Sequence, residues 1–334
     1  MKQSQNPLNY RAKMLGCAAF FGIGLTLAGL PPAALAQTSP ATSAFSLAAN
    51  QQSFASADDA VNALVKALQT DDKKSLLEIF GPGGEKLVES GDPVADATAR
   101  ENFLDLYDES HTLAPQPDGS MTLVIGNDAW PMPIPIVHVG DHWQFDATIG
   151  AQVIIERQIG RNELLTIQTL LSAVAGQEDY FDRMKTATGT GVYAQRLYSS
   201  PGKHDGLYWD VTAGEEESPL GPLVEQAEDE GYPGATQKDG VQTPYHGYYF
   251  RLLKSQGPAA PGGAENYIQD GKMTGGFAYV AWPANYERSG IMSFVVDQDG
   301  VVFQKDLGPD TAEAVRDMSS FNPDLSWARI DVTD

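Results

Sequence analysis

Residues 148–183, TIGAQVIIERQIGRNELLTIQTLLSAVAGQEDYFDR, constrain this chain more than any other stretch. Leu164, Ile167, Leu171, Val174 and Phe181 recur at steps of three and four, which predicts an amphipathic helix. Ile159, Thr166, Leu170 and Ala173 form a second file that widens the stripe. A helix apolar over so wide an arc must be covered by another layer. The pattern reads as one long rod or as two helices joined at Gly160. The part after Gly160 would span about 30 Å at 1.5 Å per residue. Its first turns are expected to close an N-terminal half, and residues 162–182 to cross a C-terminal sheet. A rod shared without a break would favour a pocket between the halves. Glu178 interrupts the stripe, which is therefore expected to be exposed near that end. Arg161 and Glu163 read as a structural pair at the boundary.

The 334-residue chain opens like a secretory signal. Lys2, Arg11 and Lys13 precede an apolar run over 14–30, Pro31-Pro32 breaks it, and Ala34-Leu35-Ala36 offers a cleavage site before Gln37. The run is near the lower limit for a membrane span and contains four glycines, so removal is expected rather than anchoring. The expected location is periplasmic or secreted. Cys17 is the only cysteine and lies inside that signal. A mature chain without cysteine has no disulfide, thiol nucleophile or thiolate ligand. The formal charge is −22, and the signal contributes only cations, so the remainder is more acidic still. Such a surface disfavours nucleic acid and anionic lipid as partners. Residues 37–52, small and polar, read as a disordered leader.

From residue 53 to about 150 helices come first and strands follow. Ser56 caps a helix carrying Asp58 and Asp59 in its first turn. Asp72 caps a second, ending at Phe80, and residues 81–84 are a turn. Asp92 before Pro93 opens a third helix towards Glu109. Strands over 112–115 and 121–125 flank Asp118-Gly119, and strands over 134–139 and 142–146 flank Gly140-Asp141. Helices followed by an antiparallel meander predict an α+β fold.

In the second half, residues 151–334, Ser218-Pro219 is expected to cap a short acidic helix through Glu230, with a loop over 231–244. Strands are predicted over 245–253, with Tyr249 or Phe250 inward, and over 276–282, 290–297 and 301–305. A last helix covers 311–318.

Three resemblances rest on these residues. AVNALVKAL, LLEIFGP and WPMPIPIVHVGDHWQFD resemble the NTF2-like (cystatin-like) group over roughly 54–155. That resemblance implies a curved antiparallel sheet wrapped on helices around a concave pocket, and it leaves function open. The long helix followed by GYYFRLL, GGFAYVAWP, GIMSFVVDQDG and VVFQKD resembles the globular part of type IV pilin-like proteins, in which a helix lies across an antiparallel sheet. A pilin keeps its N-terminal apolar helix and polymerises through it. Here the signal is an ordinary one and the helix lies mid-chain, so filament assembly is not expected. Finally, IGRNELLTIQ, YAQRLYSSPGKHDGLYW, SPLGPLVEQAEDEGY and MTGGFAYVAWPANY are similar to a bacterial family of exported proteins of unknown function, DUF2950. That similarity covers nearly all of 54–321 and implies no activity.

Catalytic signatures are missing from the sequence. It contains no GxSxG elbow, no GxGxxG or Walker loop and no HExxH, and no cofactor is expected. His138 and His142 flank a hairpin turn and read as solvated rather than metal-binding. Asp297-x-Asp299-Gly300 resembles the middle of a calcium loop, but Val295 would fall on its first ligand position, so it reads as a turn. Acids at 215–217 and at 225–230 read as solvated faces. The suggestive cluster is Lys203, His204, Asp205, Tyr208 and Trp209 in one Gly/Pro-framed loop, with Tyr245 and His246 as a second group. Aromatic walls with a few polar groups suit a binding groove. The same rings also suit packing along the helix-to-sheet seam. The leading functional expectation is a non-enzymatic binding module for an envelope ligand or protein. The rival is a hydrolase of envelope peptide or glycan that uses His204 and Asp205, which would need His246 within hydrogen-bond reach.

Overall fold

The computed structural model describes residues 51–211, 214, 216–233 and 243–331. The expected signal, nearly all of the leader, Glu215 and most of the 231–244 loop lie outside the described residues. The described chain mixes helices with antiparallel sheets in one compact unit, so α+β describes it. Among these residues no helix is long and apolar enough to cross a membrane.

Local chemistry sets the first elements. Helix α1 (Ala57–Gln69) starts where Ser56 Oγ accepts from the Asp59 N–H at 3.1 Å. Helix α2 (Lys73–Phe80) starts where Asp72 accepts from the Ser75 N–H at 3.1 Å. A short α3 (Glu85–Val88), not foreseen from the sequence, follows the glycine turn. Helix α4 (Pro93–Glu109) has Asp92 as N-cap, accepting from the Val94 and Ala95 N–H groups at 3.1 Å each. Strands β1 (His111–Pro115) and β2 (Met121–Ile125) pair as expected; β3 (Trp130–Pro131) adds to β2, and β4 (Ile136–Val139) and β5 (His142–Phe145) complete the sheet. Leu64, Ile79, Leu123, Ile134, Ile136 and Phe145 fill a first core between these helices and the sheet.

Helix α5 (Ala151–Thr188) is a single helix of 38 residues that runs through Gly160 without a break. At 1.5 Å per residue it is about 57 Å long. The buried face keeps most of the predicted stripe: Val174 is buried, and Ile167 and Leu171 pack on the core. Leu164 is 64% exposed, while Ile159, Thr166, Leu170 and Ala173 are buried. The core face is therefore centred on the second file, with Val174 of the first and polar Asn162 and Gln177 beside it. Those two bury at low cost because both are bonded. Asn162 Nδ2 donates to Ser289 O at 2.8 Å. Gln177 clamps Ala194 in both directions and also donates to the Tyr279 hydroxyl at 2.9 Å. Glu163 does not pair with Arg161; its Oε1 accepts from the Ile291 and Met292 N–H groups at 3.0 Å each.

Helix α6 (Gly221–Asp229) starts after Leu220, not after Ser218, and has no side-chain cap. Strand β6 (Tyr248–Leu253) leads to two small ribbons: β7 (Ser255–Gln256) with β8 (Glu265–Asn266), and β9 (Ile268–Gln269) with β10 (Lys272–Met273). Strands β11 (Ala278–Pro283), β12 (Met292–Asp297) and β13 (Val302–Asp306), helix α7 (Thr311–Asp317) and β14 (Ala328–Arg329) complete the chain. The second sheet has the order β14-β13-β12-β11-β6, antiparallel throughout. In the first strand of this sheet Tyr248, fully buried, is the most inward ring, while Tyr249 and Phe250 are half-buried. Both α5 and α7 pack on β11. Ala278, Tyr279, Val280 and Ala281 are consequently all buried, which explains the unbroken apolar run in GGFAYVAWP.

Asp92 joins the two cores. Its Oδ1 caps α4, and its Oδ2 accepts from the Tyr232 hydroxyl at 2.9 Å and the Gly247 N–H at 2.7 Å. The carboxylate is fully buried, with four donors and no ion pair among the described residues. Gly247 has φ +77°, and a Cβ there would meet Ser289 Cβ at 2.8 Å and Asn162 Nδ2 at 2.9 Å. Only glycine presents its N–H to Asp92 in that space. Two further bonds support the junction: Asn285 Nδ2 donates to Ser90 O, and Arg288 Nη2 donates to Glu85 O.

Candidate functional site

The second core leaves a cavity of about 130 Å³ between α5, α6 and the sheet. Leu170 and Ala173 on α5 form one wall. Leu223, Val224 and Ala227 on α6 form the opposite wall, and Phe250 and Tyr279 close the sheet side. Tyr198, Tyr208, Tyr232 and Tyr245 complete it from loops. Apolar atoms dominate this lining, and an apolar void of this size accepts about one benzene-sized group.

Loop geometry places the rings. Tyr198 and Tyr208 sit on two segments joined by a short parallel bridge, with ring centroids 5.9 Å apart at 81°. Tyr232 and Tyr245 form a second perpendicular pair at 4.9 Å and 75°. The Tyr232 ring is held by its bond to Asp92, and its oxygen also accepts from the His246 N–H at 3.2 Å. One wall of the cavity is therefore fixed from the first core.

Burial pushes the Tyr208 phenol up to about 12, and the carboxylates of Asp210, Glu228 and Glu225 add to the effect. Burial likewise raises Tyr198, with Glu228 beside it, and Tyr245, with Glu230 beside it. Tyr232 rises through burial and then through the Asp92 charge. All four stay protonated at neutral pH. No lysine or arginine is among the described lining residues.

Comparison with protein-family models gives a match over residues 51–330, to the family described as protein of unknown function (DUF2950). The chain belongs to the DUF2950 family. Neither the curated proteins nor the solved structures contain a match.

Within this DUF2950 chain the residues singled out from sequence do not come together in one place. Tyr208 and Tyr245 line the cavity. His246 stands next to it in a left-handed backbone conformation, φ +49°, with its ring 4.1 Å from that of Tyr245. Its Nε2 lies 3.1 Å from Glu230 Oε2, but the pair lacks hydrogen-bond alignment, and that buried oxygen has no donor among the described residues. Burial lowers the His246 pKa, against the opposing pull of Glu230 and Asp92. His204 instead stacks on Trp209 at 4.2 Å and 16°. Asp205 is committed to Ser200, accepting from its N–H at 2.7 Å and its hydroxyl at 2.9 Å, and those bonds hold its pKa low. Asp205 faces a separate hollow lined by Tyr180, Met184, Arg196 and Lys272. Lys203 sits exposed in the adjoining turn. No hydrogen bond or ion pair among the described residues joins His204, Asp205 and His246.

Several cavity residues escaped the sequence reading: Tyr198, Tyr232, Phe250 and the α6 face. Leu223, Val224 and Ala227 recur at helical spacing, and that was the available signal. The described lining residues all fall within 169–279, which puts the cavity on the C-terminal side and not between the two halves.

Among the described residues there is no cluster of three or more metal-ligating side chains. His138 packs against Trp143 at 3.7 Å. Asp297 closes its turn by accepting from the Asp299 N–H.

Proposed function

We propose that this protein is exported to the periplasm or the medium and works there as a binding module without catalytic chemistry. Its ligand inserts one compact apolar group into the cavity walled by Tyr198, Tyr208, Tyr232 and Tyr245. The observation that carries this reading is the cavity itself: an apolar recess with aromatic walls, one of whose rings is held by buried Asp92. Recesses of that character are the usual form of small-ligand sites. The proposal extends to fold kinship. Helices α1, α2 and α4 against a five-stranded antiparallel sheet support an NTF2-like first half. Helix α5 across the second sheet supports a pilin-like second half.

Titration calorimetry with a small apolar probe such as indole tests the binding role. Wild type is expected to bind it at millimolar or lower concentration. Ala227→Trp, which fills the cavity from α6, is expected to abolish binding while keeping the native circular dichroism. Equal binding by both proteins would refute the site. Export is tested by expressing the full chain in a host with a periplasm. Mass spectrometry is expected to find a chain beginning at Gln37 outside the cytoplasm, and a cytoplasmic full-length product would refute export.

A further inference from the structure

We propose that the group seated in the aromatic cavity is a small alkylated ammonium of the trimethylammonium type, carried by a free solute. This inference rests on the reading of the cavity as a ligand site and names the ligand's chemistry. Two independent features meet there. The first is the wall: two perpendicular tyrosine pairs, Tyr198 with Tyr208 and Tyr232 with Tyr245, border one small recess. Ring faces attract a cation through the aromatic quadrupole, and differently oriented rings can surround one. The second is the charge. The charged groups acting most strongly on all four rings are carboxylates: Glu228 on Tyr198; Asp210, Glu228 and Glu225 on Tyr208; Asp92 and Glu230 on Tyr232; and Glu230 on Tyr245. Glu225 and Glu228 project from the same helix that lines the recess through Leu223, Val224 and Ala227.

Hydrogen-bond capacity decides which kind of cation fits. A lysine ammonium or a guanidinium brings three to five donors that need acceptors. The Tyr232 oxygen already accepts from the His246 N–H and the Tyr279 oxygen from Gln177, while the Tyr208 hydroxyl, which donates to Asp210, keeps only a single phenol oxygen to offer several donors. A trimethylammonium group has no donor to satisfy and carries its charge inside an apolar shell. Its size matches the cavity of about 130 Å³. The same head group occurs on zwitterionic lipids, but there a phosphate accompanies it, and the acids around this mouth repel a phosphate.

The test compares three soluble probes by calorimetry on the mature chain: choline, its uncharged isostere with tert-butyl in place of trimethylammonium, and phosphocholine. Choline is expected to bind roughly 3- to 30-fold tighter than the isostere. It should also bind tighter than phosphocholine. The exposed acids can be removed without touching the core. In the double variant Glu225→Gln/Glu228→Gln, with an unchanged melting curve, the choline preference is expected to shrink while the isostere binds as before. Equal binding of choline and isostere would overturn the cation inference and leave the cavity reading standing. Phosphocholine binding tightest would overturn the free-solute source. No binding of either choline or the isostere would overturn the cavity reading as well.

Discussion

Replacing Asp92 tests how the two cores are held together. Its carboxylate accepts four hydrogen bonds: from Val94 and Ala95 at 3.1 Å, Tyr232 at 2.9 Å and Gly247 at 2.7 Å. Asp92→Ala removes an N-cap, worth about 1 kcal/mol. It also strands two buried donors at about 1–3 kcal/mol each. The expected loss is about 3–5 kcal/mol, since neighbouring terms do not add fully. Asp92→Asn is the sharper probe. Asparagine caps helices about as well as aspartate, so a residue that only caps would tolerate it. At Asp92 the new amide would turn N–H groups towards the Gly247 N–H, which then stays buried and unpaired. The expected loss is about 2–3 kcal/mol. Asp72→Asn is the control, because Asp72 is an exposed cap bonded to Ser75 nearby in the chain, and a change under about 0.5 kcal/mol is expected there. Urea denaturation, followed by tryptophan fluorescence and far-UV circular dichroism, measures all three. Coincident transitions license the comparison. If Asp92→Asn proved as mild as Asp72→Asn, the shared carboxylate would not hold the junction.

Gly290→Ala should destabilise by about 1–3 kcal/mol through overpacking. Its Cβ would lie 1.9 Å from the hydroxyl of fully buried Tyr248, and urea melts read the loss. The phase of α5 is checked by a pair of variants. Leu164→Gln should change stability by less than about 0.5 kcal/mol, and Leu170→Ala should cost about 2–5 kcal/mol. His246 predicts a pH dependence. Burial among Glu230, Asp92, Tyr232 and Tyr245 lowers its pKa below the usual 6.5, so the unfolded chain takes up the proton first. Its contribution is present above about pH 6.5 and is lost as pH falls below that value. His246→Asn keeps a residue suited to the left-handed backbone and should lose less stability than wild type between about pH 7 and 5.

Local signals in the sequence were readable where their partners lie close in the chain. Ser56, Asp72 and Asp92 each cap a helix that starts where expected, and the turns at Asp118-Gly119 and Gly140-Asp141 join the strands they flank. What the sequence concealed was long-range. The same Asp92 that reads as an ordinary cap reaches Tyr232 and Gly247, 140 and 155 residues away. The helix at 148–183 was recognised together with most of its inward face, Leu164 being the residue placed wrongly. Asn162 and Gln177 also occupy the buried face, and a hydrophobic count passes over both while it admits exposed Leu164. Gln177 is buried because Ala194 and Tyr279 satisfy it, and neither partner shows in a periodicity. The cavity was half legible for the same reason. Tyr208 and Tyr245 stood out beside histidines, whereas Tyr198 and Tyr232 matter only through the rings that face them.

Fluorine NMR of protein labelled with fluorotyrosine tests the cavity as a ligand site most directly. Each resonance is assigned by single Tyr→Phe substitutions, and choline or its uncharged isostere is titrated in. The resonances of Tyr198, Tyr208, Tyr232 and Tyr245 are expected to move together along one binding curve, while those of Tyr107 and Tyr286, outside the cavity, stay in place. Four unmoved cavity tyrosines at saturating probe, or shifts only at Tyr107 and Tyr286, would contradict the account.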